Sequence, residues 1–173
     1  MEAPKITYYA RIKSNLTGQQ LSDWKMFDST VWYYGKCNSL EGGESEYLIE
    51  YDIWNNEPGF NAGMYDWHNA NALYCNLCVN PASTNSEDLE LFKLGFPFLY
   101  GRCFSTNKRE SWEEITISHP LTRLYGTVRE TEGILYGNAD HMILQTKIIM
   151  PANKLLSNNT RYPFNVIFTY SYE

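Results

Sequence analysis

The chain has 173 residues and a formal charge of -6, from 14 Lys and Arg against 20 Asp and Glu. Aromatic residues make up 16% and charged residues 20%, a balance that excludes a disordered chain and a coiled coil. The basic residues are scattered, with no stripe to displace counterions from a phosphate backbone, so no nucleic-acid partner is expected. A chain of this length reads as a single domain, 1–173, able to bury a core without disulfides.

The first segment, "MEAPKITYYARIK", enters directly into an alternating pattern and lacks the basic and apolar regions of a secretion signal. Apolar runs such as "KIIM" are too short to span a bilayer. The expectation is a chain made in a cytoplasm and left there, or exported inside a larger assembly, with no membrane partner. Residues 5–13 predict a strand with Ile6, Tyr8, Ala10 and Ile12 on one face and Lys5, Arg11 and Lys13 on the other. A weaker strand is predicted at 24–34. Residues 46–54 repeat the strong pattern, with Tyr47, Ile49, Tyr51 and Ile53 opposite Leu48, Glu50 and Asp52. Glu50 and Asp52 are expected to be solvated acids on the wet face.

Asp52 to Cys75, "DIWNNEPGFNAGMYDWHNANALYC", is dense with turn-forming Asn, Pro and Gly and with aromatic rings. It predicts a long excursion at one end of a sheet, and loops of that length in a compact domain are usually functional or ordered by a partner. The candidate binding residues are Trp54, Asn55, Asn56, Phe60, Tyr65, Trp67 and His68. They are open to three readings: rings folded inward with Asn side chains serving turn amides, a contact with another protein chain, or a sugar-binding surface.

The return strand at 73–80 carries "CNLC". Cys75 and Cys78, with Cys37 and Cys103, supply four thiolates, but a second Cys-x-x-Cys is missing, so neither a zinc site nor a disulfide is expected. On a strand, a spacing of three puts Cys75 and Cys78 on opposite faces. A single helix is predicted within 86–94, with Ser86 as N-cap, Glu87 and Asp88 in the first turn, Leu89, Leu91 and Phe92 on an apolar side, and Lys93 and Gly95 as the stop. Weaker strands follow at 97–105, 112–118 and 121–130, then strong ones at 141–150 and 164–172. Turn signals separate them throughout. Strands with one wet face pack as antiparallel sheets, which predicts an all-β antiparallel β-sandwich, jelly-roll or Ig-like, with one short helix; a closed barrel would satisfy the same pattern.

Catalysis is not expected. The three histidines, His68, His119 and His141, lie in separate segments, and His119 in "ISHPL" reads as a strand-end residue. There is no nucleophile elbow and no phosphate-binding loop. Two carboxylates such as Glu50 and Glu113 could flank a glycosidic bond across a sheet, a pairing any sandwich supplies by chance, which keeps a small hydrolase as the third reading. No cofactor and no metal is expected.

In an all-β, Tyr- and Asn-rich chain, "YDIWNNEPGFNAG…NANALYCNLCV" resembles small structural proteins of tailed bacteriophages. The resemblance implies a β-sandwich module of a head, neck, tail or fibre, assembled in the host cytoplasm into the virion. Its partners would be other virion proteins or copies of itself, a role suited to Tyr and Trp at interface cores. The alternative is a receptor- or carbohydrate-binding module that meets a surface glycan.

Overall fold

A computed structural model of the chain describes residues 3–26, 32–37, 43–55, 70–82, 85–103, 111–116, 119–121, 124, 141–152 and 162–172. The chain order is β1 (Ile6–Ser14), β2 (Lys25–Met26), β3 (Gly43–Glu44), β4 (Tyr47–Asn55), β5 (Ala72–Pro81), α1 (Ser86–Lys93), β6 (Leu99–Cys103), β7 (Glu113–Glu114), β8 (His119–Pro120), β9 (His141–Met150) and β10 (Phe164–Tyr172). Two antiparallel sheets form. The larger runs β2-β1-β4-β9-β6-β7, with β3 also on β9, and the smaller runs β10-β5-β8. Neither sheet closes on itself. The fold is therefore an antiparallel β-sandwich, with one short helix among the described residues.

The core forms where the alternation demands it. Register aligns Ala10, Tyr51, Leu144 and Cys103 across four strands of the large sheet, and all four belong to the buried cluster. Cys75, Leu77 and Val79 of β5 and Phe168 of β10 meet them from the small sheet. Thr146 is the polar exception: its hydroxyl donates to Ile49 O at 2.8 Å and lies 2.6 Å from Tyr34 Oη, so no buried group there lacks a partner. Burial pushes Tyr34 well above its ordinary value and Tyr51 to about 12.

The four strong strands lie within a residue or two of their predicted spans, and so does the helix. The weaker ones fare differently. The one at 73–80 extends to Ala72–Pro81. Among the described residues of 24–34 only Lys25–Met26 is strand; residues 32–37 run beside the start of β4, where Gly35 at φ 81° interrupts a regular ladder. The predicted strand at 97–105 starts later, at Leu99, because Phe98 at φ 55° closes a turn onto Gly95. At 112–118 the ladder stops after Glu114, since the chain crosses between sheets: Ile115 N donates to Leu99 O in one, and Thr116 O accepts from Val79 N in the other. Most of 121–130 lies outside the described residues, and Leu124 bridges to Ala72. The N-cap is Asn85 rather than Ser86, its Oδ1 accepting from Glu87 N at 3.0 Å; Asn caps as well as Ser and sits one residue earlier.

A bulge shapes β5. Tyr74 stands at φ 50° with its side chain 87% exposed, and the register with β10 shifts between Thr169 and Ser171. An extra residue in one strand switches which parity faces inward. Ala72 and Cys75, three positions apart, are consequently both in the core, while Cys78 is half-buried on the other face. Cys75 and Cys78 do lie on opposite faces of one strand.

Candidate functional site

Three features stand out once the strands are placed. The first is the base of the aromatic excursion. Trp54 and Asn55 end β4; Asn56, Phe60, Tyr65, Trp67 and His68 lie outside the described residues. Trp54 is 7% exposed and stacks on the His141 ring at 4.0 Å, while His141 Nδ1 sits 2.7 Å from Asp52 Oδ1. One face of this indole is therefore occupied by an imidazole, which removes it as a platform for a sugar ring. Asn55 is 1% exposed and works as a latch: its Oδ1 accepts from Lys5 N, and its Nδ2 donates to Ala70 O and Leu124 O. Both amide hydrogens and one acceptor site of the oxygen go to main chain, so Asn55 holds the return of the excursion.

The second feature crosses the outer face of the large sheet. Arg11, Glu50, Gln145 and Arg102 are directly opposite one another in register on β1, β4, β9 and β6. Arg11 Nε and Nη2 both reach Glu50 Oε1 at 2.6 Å. Glu50 Oε2 accepts from Gln145 Nε2 at 2.7 Å and lies 3.2 Å from Lys13 Nζ. Gln145 Oε1 in turn accepts from Arg102 Nε at 3.0 Å. Indole rings finish the row: the Arg11 guanidinium lies 4.3 Å from the Trp24 ring centre, and that of Arg102 lies 4.4 Å from Trp112.

Glu50 is thus not the solvated acid expected from its alternation. Its side chain is only 4% exposed, because flanking strands on both sides close long side chains over it. Burial pushes its pKa up, but the hydrogen bonds from Gln145 and Arg11 and the charges of Arg11 and Lys13 outweigh that, leaving it below its ordinary value. A carboxylate held ionised is a poor general acid. Glu113 cannot pair with it across a glycosidic bond either. It stands opposite Gly101, one residue from Arg102, so its parity places it on the other face of the sheet from Glu50.

No other described group gathers reactive side chains. Among the described residues there is no cluster of three or more His, Cys, Asp or Glu able to hold a metal ion. The four cysteines form no disulfide; burial pushes Cys75 up to about 11 and raises Cys37. A gap of about 230 Å3 between the sheets is lined by Tyr8, Tyr51, Leu77, Val166, Ile167 and Phe168, with no charged group pointing in. It is a packing gap between apolar walls.

The third feature is a sheet edge. Among the described residues the other terminal strands, β2, β7 and β8, are two residues long, while β10 is nine and pairs only with β5. Its sequence, "FNVIFTYSY", has no charge, proline or glycine. The direction of its backbone groups follows from register. Ala82 N donates to Pro163 O, so Asn165, Ile167 and Thr169 continue the hydrogen-bonded pairs with β5. Phe164, Val166, Phe168, Tyr170 and Tyr172 therefore aim their N–H and C=O groups away from β5. Alternation marks 164–172 as a strand but does not encode that it ends a sheet. Comparison with protein-family models, with characterised proteins and with solved structures finds no match for this chain.

Proposed function

We propose that the chain is a non-catalytic assembly subunit that joins a larger protein structure through the β10 edge. The observation that carries this reading is an uncharged strand of nine residues at the end of a sheet. Such an edge is a template for another strand, and proteins that do not use one blunt it by shortening it or by placing Lys, Pro or a bulge on the strand itself. The other terminal strands are shortened in this way; β10 is not. Strand addition draws affinity from main-chain hydrogen bonds and selectivity from alternate side chains, and here exposed Tyr170 and Tyr172 supply aromatic surface. The resemblance to phage structural proteins points the same way, with a virion as the setting and other virion proteins or further copies as neighbours. A contact through residues 54–68 would be a second surface; of its aromatic members Trp54 is buried against His141, and Phe60, Tyr65 and Trp67 lie outside the described residues.

Amide hydrogen exchange tests the reading. In dilute solution, protection along β10 should alternate, with Asn165, Ile167 and Thr169 slow and Phe164, Val166 and Phe168 fast. On assembly the fast set should become slow. Uniformly slow exchange in a strictly monomeric sample would mean that the chain covers this edge itself, and the proposal would fail.

A further inference from the structure

We infer that the strand received by β10 is β10 of a second copy, antiparallel and centred on Phe168, which fuses two three-stranded sheets into one of six. The inference rests on the edge reading above and adds the identity of the partner.

Charge gives the first argument. The chain carries -6, which opposes self-association in general, yet neither β10 nor β5 contains a charged residue. Two copies can meet at this sheet without placing like charges opposite each other. A partner of different composition is commonly selected by complementary charge, and this strand offers none to read.

Self-complementarity gives the second. Only an even-numbered residue can hydrogen-bond outward, so a two-fold register must match even positions with even positions. Centring on Phe168 does this over the whole strand. Phe164 then meets Tyr172, Asn165 meets Ser171, Val166 meets Tyr170, Ile167 meets Thr169, and Phe168 meets its own counterpart. Aromatic faces aromatic, polar faces polar, and β-branched faces aromatic or β-branched, the pairings that stabilise antiparallel strands. Exposure is complementary as well. Tyr170 and Tyr172, 37% and 54% exposed, come opposite Val166 and Phe164, which are packed against the core. A two-fold contact of this kind is closed, because each copy has one such edge.

The test uses the full chain. Sedimentation over a wide concentration range should show a species of twice 20.1 kDa. Asn165→Lys with Thr169→Lys, both exposed positions, should abolish that species and leave the circular dichroism unchanged. Independently, Asn165→Cys with Ser171→Cys should cross-link two copies on oxidation. Neither single variant should do so, and the two positions are about 20 Å apart along one extended strand, too far to join within a chain. A dimer that survives the two lysines and does not cross-link would overturn the inference, as would an open series of higher masses. A chain that stays monomeric with fast outward amides would overturn the second copy as occupant while leaving the edge reading intact. Slow outward amides in that monomer would overturn both.

Discussion

The two sheets treat charge in opposite ways. The large sheet carries Arg11, Lys13, Glu50, Asp52, Arg102 and Lys147 on its outer face, in the middle of its strands, and seats most of them against side chains from adjacent strands. The small sheet places no charge on β5 or β10. A central strand has neighbours on both sides that can pair a charge laterally and shield it. An edge strand has one, and any charge on it faces the approaching partner. Charge is therefore concentrated where the chain completes its own hydrogen bonding and withheld where β10 leaves main-chain groups outward. The polar face serves the fold, and the apolar edge is where the proposed contact would form.

The largest effect should come from the centre of the polar row. Glu50→Ala leaves Arg11 and Lys13 without their anion and Gln145 without an acceptor. Breaking a buried pair from one side costs about 3–5 kcal/mol, and the partial exposure of both cations puts this case near the lower end. At concentrations where the chain is monomeric, urea unfolding should register about 3 kcal/mol for Glu50→Ala but no more than about 0.5 kcal/mol for Thr169→Lys in the small sheet, there a surface change. Equal losses at the two positions would dissolve the contrast between the sheets.

Asn55→Ala comes next, at about 2 kcal/mol, from removing the side-chain hydrogen bonds to Lys5 N, Ala70 O and Leu124 O, the last of which keeps its bond from Ala72 N. If Asn55 were instead a ligand-binding residue, the substitution would cost little stability.

Titration should sharpen the same comparison with smaller changes. Glu50 and Glu44 both sit below their ordinary 4.5 in the folded chain; for Glu44 the Lys147 hydrogen bond is the main cause. A depressed folded value means stability that is complete above about pH 4.5 and lost as pH falls through the folded value. Protonated Glu50 still fills its site, so the loss at low pH should be less than that of Glu50→Ala, and Glu50→Gln should flatten this acid limb. At the alkaline end, burial raises Tyr8 and Tyr51 to about 12, with Tyr34 well above its ordinary value. Raised tyrosines favour the neutral folded form, so their contribution is whole below pH 10 and declines from there toward 12. The last part of the phenolate absorbance should appear together with loss of sheet; complete titration of all 14 tyrosines with the sheet intact would contradict the burial of these rings.

Much of this architecture was legible from alternation alone, because Ile49, Tyr51 and Ile53, or Met142 and Leu144, must share a face to be buried. Parity also separated Cys75 from Cys78. What alternation hides is lateral register. Arg11, Glu50, Gln145 and Arg102 each read as a residue on a wet face, and only strand order brings them into one row. Glu50 was misjudged for that reason: a carboxylate among flanking long side chains is covered by neighbours remote in sequence. β2, β6 and β7 are shorter than the pattern predicts because Gly35, Phe98 and the crossing at Ile115–Thr116 break ladders through backbone geometry that side-chain patterns do not encode. Of the seven candidate binding residues, the two described ones are engaged within the fold, Trp54 by stacking on His141 and Asn55 by holding three main-chain groups.

The smallest effect lies at the far end of the polar row and tests how lateral pairing works where the sheet runs out. Arg102 does two things there: its Nε donates to Gln145, and its guanidinium covers the Trp112 ring, which Lys147 Nζ also approaches at 4.2 Å. Arg102→Lys keeps the charge but loses the planar stack and the fixed fork. Cation–π contact at a partly exposed site is worth about 0.5–1 kcal/mol, and the charge-assisted bond to Gln145 can be remade in part by an ammonium. We expect a loss of about 1 kcal/mol in urea unfolding. Placing the same change in a Trp112→Leu background separates the two contributions, since leucine keeps an apolar cover without the ring quadrupole. If stacking matters, Arg102→Lys should cost about 0.5 kcal/mol less there. An identical cost in both backgrounds would assign the whole effect to Gln145, and the row would then end at its last hydrogen bond, with Trp112 serving only as apolar cover.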